Sequence, residues 1–214
     1  MQKIAIETYK YFSSLEGNKH IASEFALKKI IDIIENYKII NILELGLGIG
    51  SISYCILEFS KRNGIPINYF GTESNEFCLN VLPKYLKDHF DNIQIFDSLN
   101  KVPYNAKFNM IIIDGKDESL TKIKEIIANR GIVIIEGDRM PQLERIRNSF
   151  PNSLYVRLIS NYRSPIYGPF SSKDWCGGIQ LVFVNPNLWQ KLNFLYYKLI
   201  TAMRYRLRAI NKKN

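Results

Sequence analysis

Apolar residues recur along this chain with two different periods, and the switches between them outline the elements. Between positions 4 and 15, and again between 20 and 37, they return at helical spacing, the second segment carrying Ile21, Phe25, Leu27, Ile30, Ile31 and Ile34. Two helices are therefore predicted ahead of any strand. Ile39 to Leu45 is almost unbroken apolar sequence, the mark of a strand covered on both faces.

From there the two periods alternate. Strands are predicted at 67–72, 93–96, 108–113, 132–135, 153–160 and 179–184, and helices at 51–62, 75–87, 118–129 and 142–150, with Asn63-Gly64 and Gly131 as stops. Such alternation implies an α/β fold, a doubly wound and mostly parallel seven-stranded sheet with helices on both faces. No helix-sized segment separates the last two strands, so the final strand is expected to run antiparallel to its neighbour. Three stretches follow: a helical cap at 1–38, a core at 39–185 belonging to the same domain, and a helix at 186–214.

Carboxylates fall at or near the carboxyl ends of successive strands: Glu44, Glu73, Asp97, Asp114 and Glu136. Ligands of open α/β sheets bind outside that edge. Between the first strand and its helix lies Glu44-Leu45-Gly46-Leu47-Gly48-Ile49-Gly50, whose glycines permit positive φ and let a ligand approach the backbone. A dinucleotide would use a similar turn, but that pattern has glycine or alanine where Ser51 stands, and its fold begins at the first strand. Glu44 inside the strand end would gain a pyrophosphate nothing; it suits a cationic ligand.

In order and spacing, Glu44 to Gly50, Glu73, Asp97 and Asp114 resemble the class I S-adenosylmethionine (SAM)-dependent methyltransferases over about residues 39 to 185. The resemblance implies a Rossmann-like methyltransferase fold. It assigns Gly46, Gly48, Gly50 and Ser51 to the methionine and ribose part of the donor and Glu44 to its amino end. Glu73, followed by Ser74, would take the ribose hydroxyls, and Asp97 with Ser98 the adenine. Amino-nitrogen methyltransferases of nucleic acids commonly carry Asn/Asp-Pro-Pro-aromatic after the fourth strand, where this chain has Asp114-Gly115-Lys116-Asp117. The surroundings of Asp114 and Glu136 look more like small-molecule O-methyltransferases acting on sugar or phenolic hydroxyls.

Some enzymes of that kind bind a divalent metal, and oxygen ligands from Asp114 with Glu136 or Asp138 would suit Mg²⁺. The alternative is that Asp114 only fixes the donor loop, with catalysis by proximity. Lys116 is a candidate base, although an ordinary lysine is a solvated cation. His20 lies on the N-terminal segment that would sit above the pocket; neither it nor His89 has a motif around it. Loop 161–178 carries Tyr162, Arg163, Tyr167 and Trp175, a mixture suited to packing on a planar or sugar-like acceptor, and forms a candidate lid. An RNA or protein methyltransferase, or a donor-binding partner module without turnover, is the competing reading.

Composition adds two points. Cys55, Cys78 and Cys176 have neither disulfide-framework nor zinc spacing; together with an N-terminus lacking an apolar leader, this leads to a cytoplasmic expectation, peripheral to a membrane at most. The net charge is +9, but residues 186–214 hold seven Lys and Arg and no acid, so nucleic acid is the less favoured partner. Leu188, Leu192, Leu195, Leu199, Met203, Leu207 and Ile210 form one stripe there, expected to pack on the domain, on a second copy of the chain, or on an anionic membrane surface.

Overall fold

The computed structural model describes residues 2–115 and 119–210. Two helices come first, α1 (Gln2–Ser13) and α2 (Glu24–Tyr37), the latter N-capped by Ser23, whose hydroxyl accepts from the Ala26 amide. The core then alternates: β1 (Asn41–Leu45), α3 (Ser51–Asn63), β2 (Asn68–Thr72), α4 (Glu76–Leu86), β3 (Ile93–Phe96) and β4 (Phe108–Ile113). It closes with a short α5 (Ile123–Ile126), β5 (Ile127–Glu136), α6 (Met140–Ser149), β6 (Leu154–Ile159), β7 (Gly178–Phe183) and the long α7 (Leu188–Ile210).

All seven strands join one sheet in the order β3-β2-β1-β4-β5-β7-β6. Pairings among β1 to β5 are parallel, whereas β7 runs antiparallel to both β5 and β6. The antiparallel last strand is as expected; its insertion between β5 and β6 is what the structure adds. Order reverses on either side of β1, between β2 and β4, and the carboxyl ends of β1, β2 and β4 open there. Period-two alternation divides the core. Ile42, Tyr69, Ile112 and Ile134 belong to the layer under α1, α2 and α3, while Leu43, Leu45, Ile111 and Ile135 face the α5–α6 side.

The helix expected over 118–129 is not formed as such. Among the described residues, Leu120–Lys122 make a 3-10 turn and α5 lasts four residues. Ile127 already belongs to β5, paired with Phe108 across an irregularity in register. Leu120, Ile123 and Ile126 are buried as a helical stripe would require, but β-branched Ile127 also suits a pleated surface and the strand ladder claims it. Arg130, at φ +66°, breaks the line before Gly131.

Helix α7 lies along the outer edge of β6. Thr201 Oγ1 donates to the Arg157 carbonyl at 2.7 Å, Arg204 to Ile159 O at 2.7 Å and Arg208 Nε to Ser160 O at 2.7 Å. Two outward carbonyls of the edge strand and the one just past its end are thereby covered. No helix among the described residues is long and apolar enough to cross a membrane.

Candidate active site

The bend after β1 is tied to the strands on both sides. Gly46 N and Leu47 N donate to Thr72 O at 3.1 and 3.0 Å, and Asp114 N and Gly115 N donate to Leu45 O at 2.9 and 2.8 Å. Gly46 has φ +88°, and a Cβ there would lie 2.6 Å from Gly115 Cα, so the two backbones touch where no side chain fits. Gly48 has φ +54° and the opposite outlook, with nothing within 4 Å of where its Cβ would be. This part of the loop presents bare backbone to open space. Gly50 ends the bend as the N-cap of α3, and buried Ser51 turns its Oγ to the Ala22 amide, 3.3 Å away.

Glu44 is fully buried beneath this bend. Register sets it beside Gly71 and two residues on from the Ile42–Tyr69 pair, on the face where the Tyr69 hydroxyl donates to Glu44 Oε2 at 2.5 Å. Oε1 has no hydrogen-bond partner among the described residues. Burial pushes this carboxyl well above the ordinary glutamate range, the Tyr69 hydrogen bond opposing and the charges of Asp114 and Glu73 adding to the rise. An orphaned carboxylate oxygen in such a place is costly unless a donor group arrives to meet it.

Glu73, at the end of β2, accepts from Gly48 N at 2.7 Å through Oε2, and from Ser74 N and Asn75 N at 2.8 and 2.7 Å through Oε1. It thus fastens the glycine bend to the start of α4. Of a carboxylate's roughly four acceptor positions, one stays open. Asp97 is exposed past the end of β3 and accepts from Ser98 Oγ at 2.8 Å.

At the ends of β4 and β5 a third group emerges. Arg139 Nη2 stands 2.9 Å from Asp114 Oδ1, while its Nε donates to Glu136 O at 3.1 Å. Burial raises the Asp114 carboxyl well above its usual value, the charge of Glu136 adds to the rise, and Arg139 opposes it; Glu136 is raised by burial, again against Arg139. Asp138 points away and pairs with Arg157 at 2.8 Å. The three acids considered as Mg²⁺ ligands therefore do not fit a cation site as they stand, because the Asp114 carboxylate is already paired with a guanidinium anchored on the Glu136 backbone, and Asp138 has its own partner. No cluster of three His, Cys, Asp or Glu suited to a metal occurs among the described residues. Lys116 lies outside the described residues.

Beside this pair opens a cavity of about 340 Å³, lined among others by Lys19, His20, Glu136, Arg139, Phe170 and Trp175. Loop 161–178 supplies part of its wall, stiffened by a bridge between Arg163 and Trp175 and by Cys176 N donating to Tyr162 O at 3.0 Å. Trp175 is clasped by two guanidinium groups, Arg163 at 4.0 Å and Arg208 at 4.8 Å from its ring centre. The tyrosines proposed beside it as acceptor contacts go elsewhere. Tyr162 packs edge-on to Phe25 and Tyr167 to Tyr9, and Tyr167 also bonds Glu24, because the loop folds back onto α1 and α2. His89 pairs with Glu58 at 2.8 Å under α3, apart from this cavity.

Three residues of the region escaped the sequence. Tyr69 reads as an ordinary strand aromatic; its hydroxyl matters only because register sets it beside Glu44. Arg139 sits in no motif, and Lys19 reads as a solvated cation. The one available signal was alternation, which puts Tyr69 and Gly71 on the same side of β2.

No family model matches the sequence, and neither does any curated protein. Solved structures do match in fold, which is that of the Rossmann-like methyltransferases. An O-methyltransferase from Bacillus cereus in complex with SAH superposes with a TM-score of 0.61 at 14% identity, covering 85% of this chain and 90% of that one. TomG, an O-methyltransferase from Streptomyces achromogenes involved in tomaymycin synthesis and bound to SAM, gives 0.60 at 12% over 85% and 89%. A Klebsiella pneumoniae protein named for O-methyl transfer gives 0.65 at 13% over 85% and 90%.

Proposed function

We propose that this protein is a SAM-dependent methyltransferase that methylates a hydroxyl of a small molecule held in the cavity beside Glu136 and Arg139. The observation that carries this reading is the orphaned, buried Oε1 of Glu44 beneath a bend whose Gly48 borders open space. A cationic ligand with an amino end meets both. Neighbours bound to SAM and SAH share the fold and support the choice of donor.

In this reading Glu44 supports the donor's ammonium, directly or through water. The open acceptor position of Glu73 takes a ribose hydroxyl, and Asp97 with Ser98 lies at the adenine edge. SAM supplies a methyl group already activated by its sulfonium. The chain's task is to align an acceptor oxygen in line with the methyl carbon, keep water out and take up a proton. With the donor bound, the acceptor hydroxyl would give up its proton to a carboxylate of the chain as it takes the methyl group.

Glu136, which belongs to the cavity wall, is that base in this reading, with Asp114 behind it on Arg139. Arg139 supplies, without a metal, the positive charge that keeps the two acids side by side. Phe170 offers an apolar surface to a ring, beside a Trp175 already held between Arg163 and Arg208. The test is incubation with labelled SAM and a panel of phenols, sugars and carboxylic acids, with products read by mass spectrometry. Hydroxyl acceptors gaining one methyl group are expected; transfer confined to RNA or protein would refute the assignment.

A further inference from the structure

Helix α7 has two working faces, only one of which has a partner among the described residues. The inner face meets the edge of β6 through Thr201, Arg204 and Arg208. The outer face carries Leu188, Leu192, Leu195, Leu199, Met203 and Ile210, all exposed, with Leu188 at 73% and Leu199 at 61%. At 100° per residue these six fall within about 80° of one another, an apolar ridge along a helix of 23 residues, about 35 Å, broken once near its end. Trp189 and Tyr196 extend it on one flank. Lys191 and Lys198 lie along the other, and Arg206 is the single cation within the ridge, long enough to lift its head out of an apolar layer.

An exposed ridge of this size on a fixed helix marks an interaction site, and its charge selects among occupants. Residues 186–214 contain no acid, and the nearby carboxylates of Asp32 and Asp138 are already paired, with Lys29 and Arg157. A second copy meeting this face about a two-fold axis would bring cations to cations with nothing to answer them. An anionic bilayer supplies both what the ridge lacks and what the rim attracts: apolar depth for leucines, an interfacial level for Trp189 and Tyr196, and negative headgroups for the lysines.

We infer that the outer face of α7 is a docking surface for an anionic lipid bilayer, with the helix lying in the plane of the interface. Nothing in this depends on the donor site. Leu195→Gln/Leu199→Gln removes the centre of the ridge without touching a buried contact, so circular dichroism and thermal unfolding should match wild type. The full chain should co-sediment with vesicles of phosphatidylcholine and phosphatidylglycerol in equal parts and far less with phosphatidylcholine alone. The double variant should partition about ten-fold or more weaker per leucine lost.

Absence of vesicle binding overturns the inference. So does binding that the double variant keeps in full, since charge alone would then be responsible. A wild-type dimer in sedimentation equilibrium that the double variant dissociates, without vesicle binding, assigns the ridge to a second copy instead.

Discussion

Gly46 and Gly48 sit two residues apart in one bend, and the structure gives alanine at each a different failure. At Gly46 the new Cβ would stand 2.6 Å from Gly115 Cα and 2.7 Å from Gly115 N, where carbon contacts settle near 3.5–4.0 Å. Both neighbours are backbone, so the β1 and β4 ends must part by roughly 1 Å; overpacking of that kind costs about 1–3 kcal/mol. A left-handed φ on a residue with a Cβ adds about 1–2 kcal/mol. Gly46→Ala should therefore lose about 2–5 kcal/mol, a fall in Tm of roughly 4–20 °C at this chain length.

Gly48→Ala meets only the conformational cost of its φ of +54°, since nothing lies within 4 Å, so its loss should stop at about 1–2 kcal/mol. Its Cβ instead fills the space through which the donor would approach the loop. Donor affinity should drop at least about ten-fold, equivalent to about 1.4 kcal/mol. Thermal unfolding and equilibrium dialysis with labelled SAM separate the two effects. A Gly48→Ala protein with affinity within about two-fold of wild type would refute the placement of the donor.

Other expectations follow from the buried carboxyls. Glu44 has a folded pKa above its unfolded one, so its contribution is most favourable at low pH and declines as pH rises from its unfolded value of about 4.3. Glu44→Gln should match wild type in urea unfolding at low pH and become progressively more stable than it as pH rises, while losing SAM affinity; parallel stability profiles would contradict the burial argument. Arg139→Met strips the guanidinium from Asp114 and Glu136, so both should hold their protons more tightly, and the variant should be destabilised by about 1–3 kcal/mol, more at high pH than at low. A loss independent of pH, by the same unfolding assay, would count against that coupling. Because Arg139 already pairs with Asp114, neither chelator nor millimolar Mg²⁺ should change Tm or SAM affinity, and a Mg²⁺-dependent rise in either would reverse this reading.

Much of the architecture was legible because buried parallel strands and amphipathic helices leave unlike periods. Ile39 to Leu45, the glycines behind it and the acids at strand ends marked β1 and the edge where a ligand would bind. The stretch 118–129 was misread for a physical reason: Leu120, Ile123 and Ile126 satisfy a helical stripe, while Ile127 is taken by Phe108 from another strand, a pairing no local pattern encodes. The place of β7 between β5 and β6 is likewise a matter of long-range pairing. Trp175 reached the cavity wall as its loop suggested, but Tyr162 and Tyr167 did not, since the loop's path over α1 and α2 is set by tertiary contact. The Tyr69–Glu44 hydrogen bond and the Arg139–Asp114 ion pair join residues 25 positions apart, and neither had a signature before the sheet was assembled.

Isothermal titration of the wild-type protein with SAM, and separately with SAH, addresses the donor site most directly. Saturable one-site heat with both compounds is expected, weakened for both in Glu44→Gln because the amino end is common to the two. No heat with either compound, in a protein shown to be folded, would contradict the assignment of the β1 bend and its carboxylates to the methyl donor.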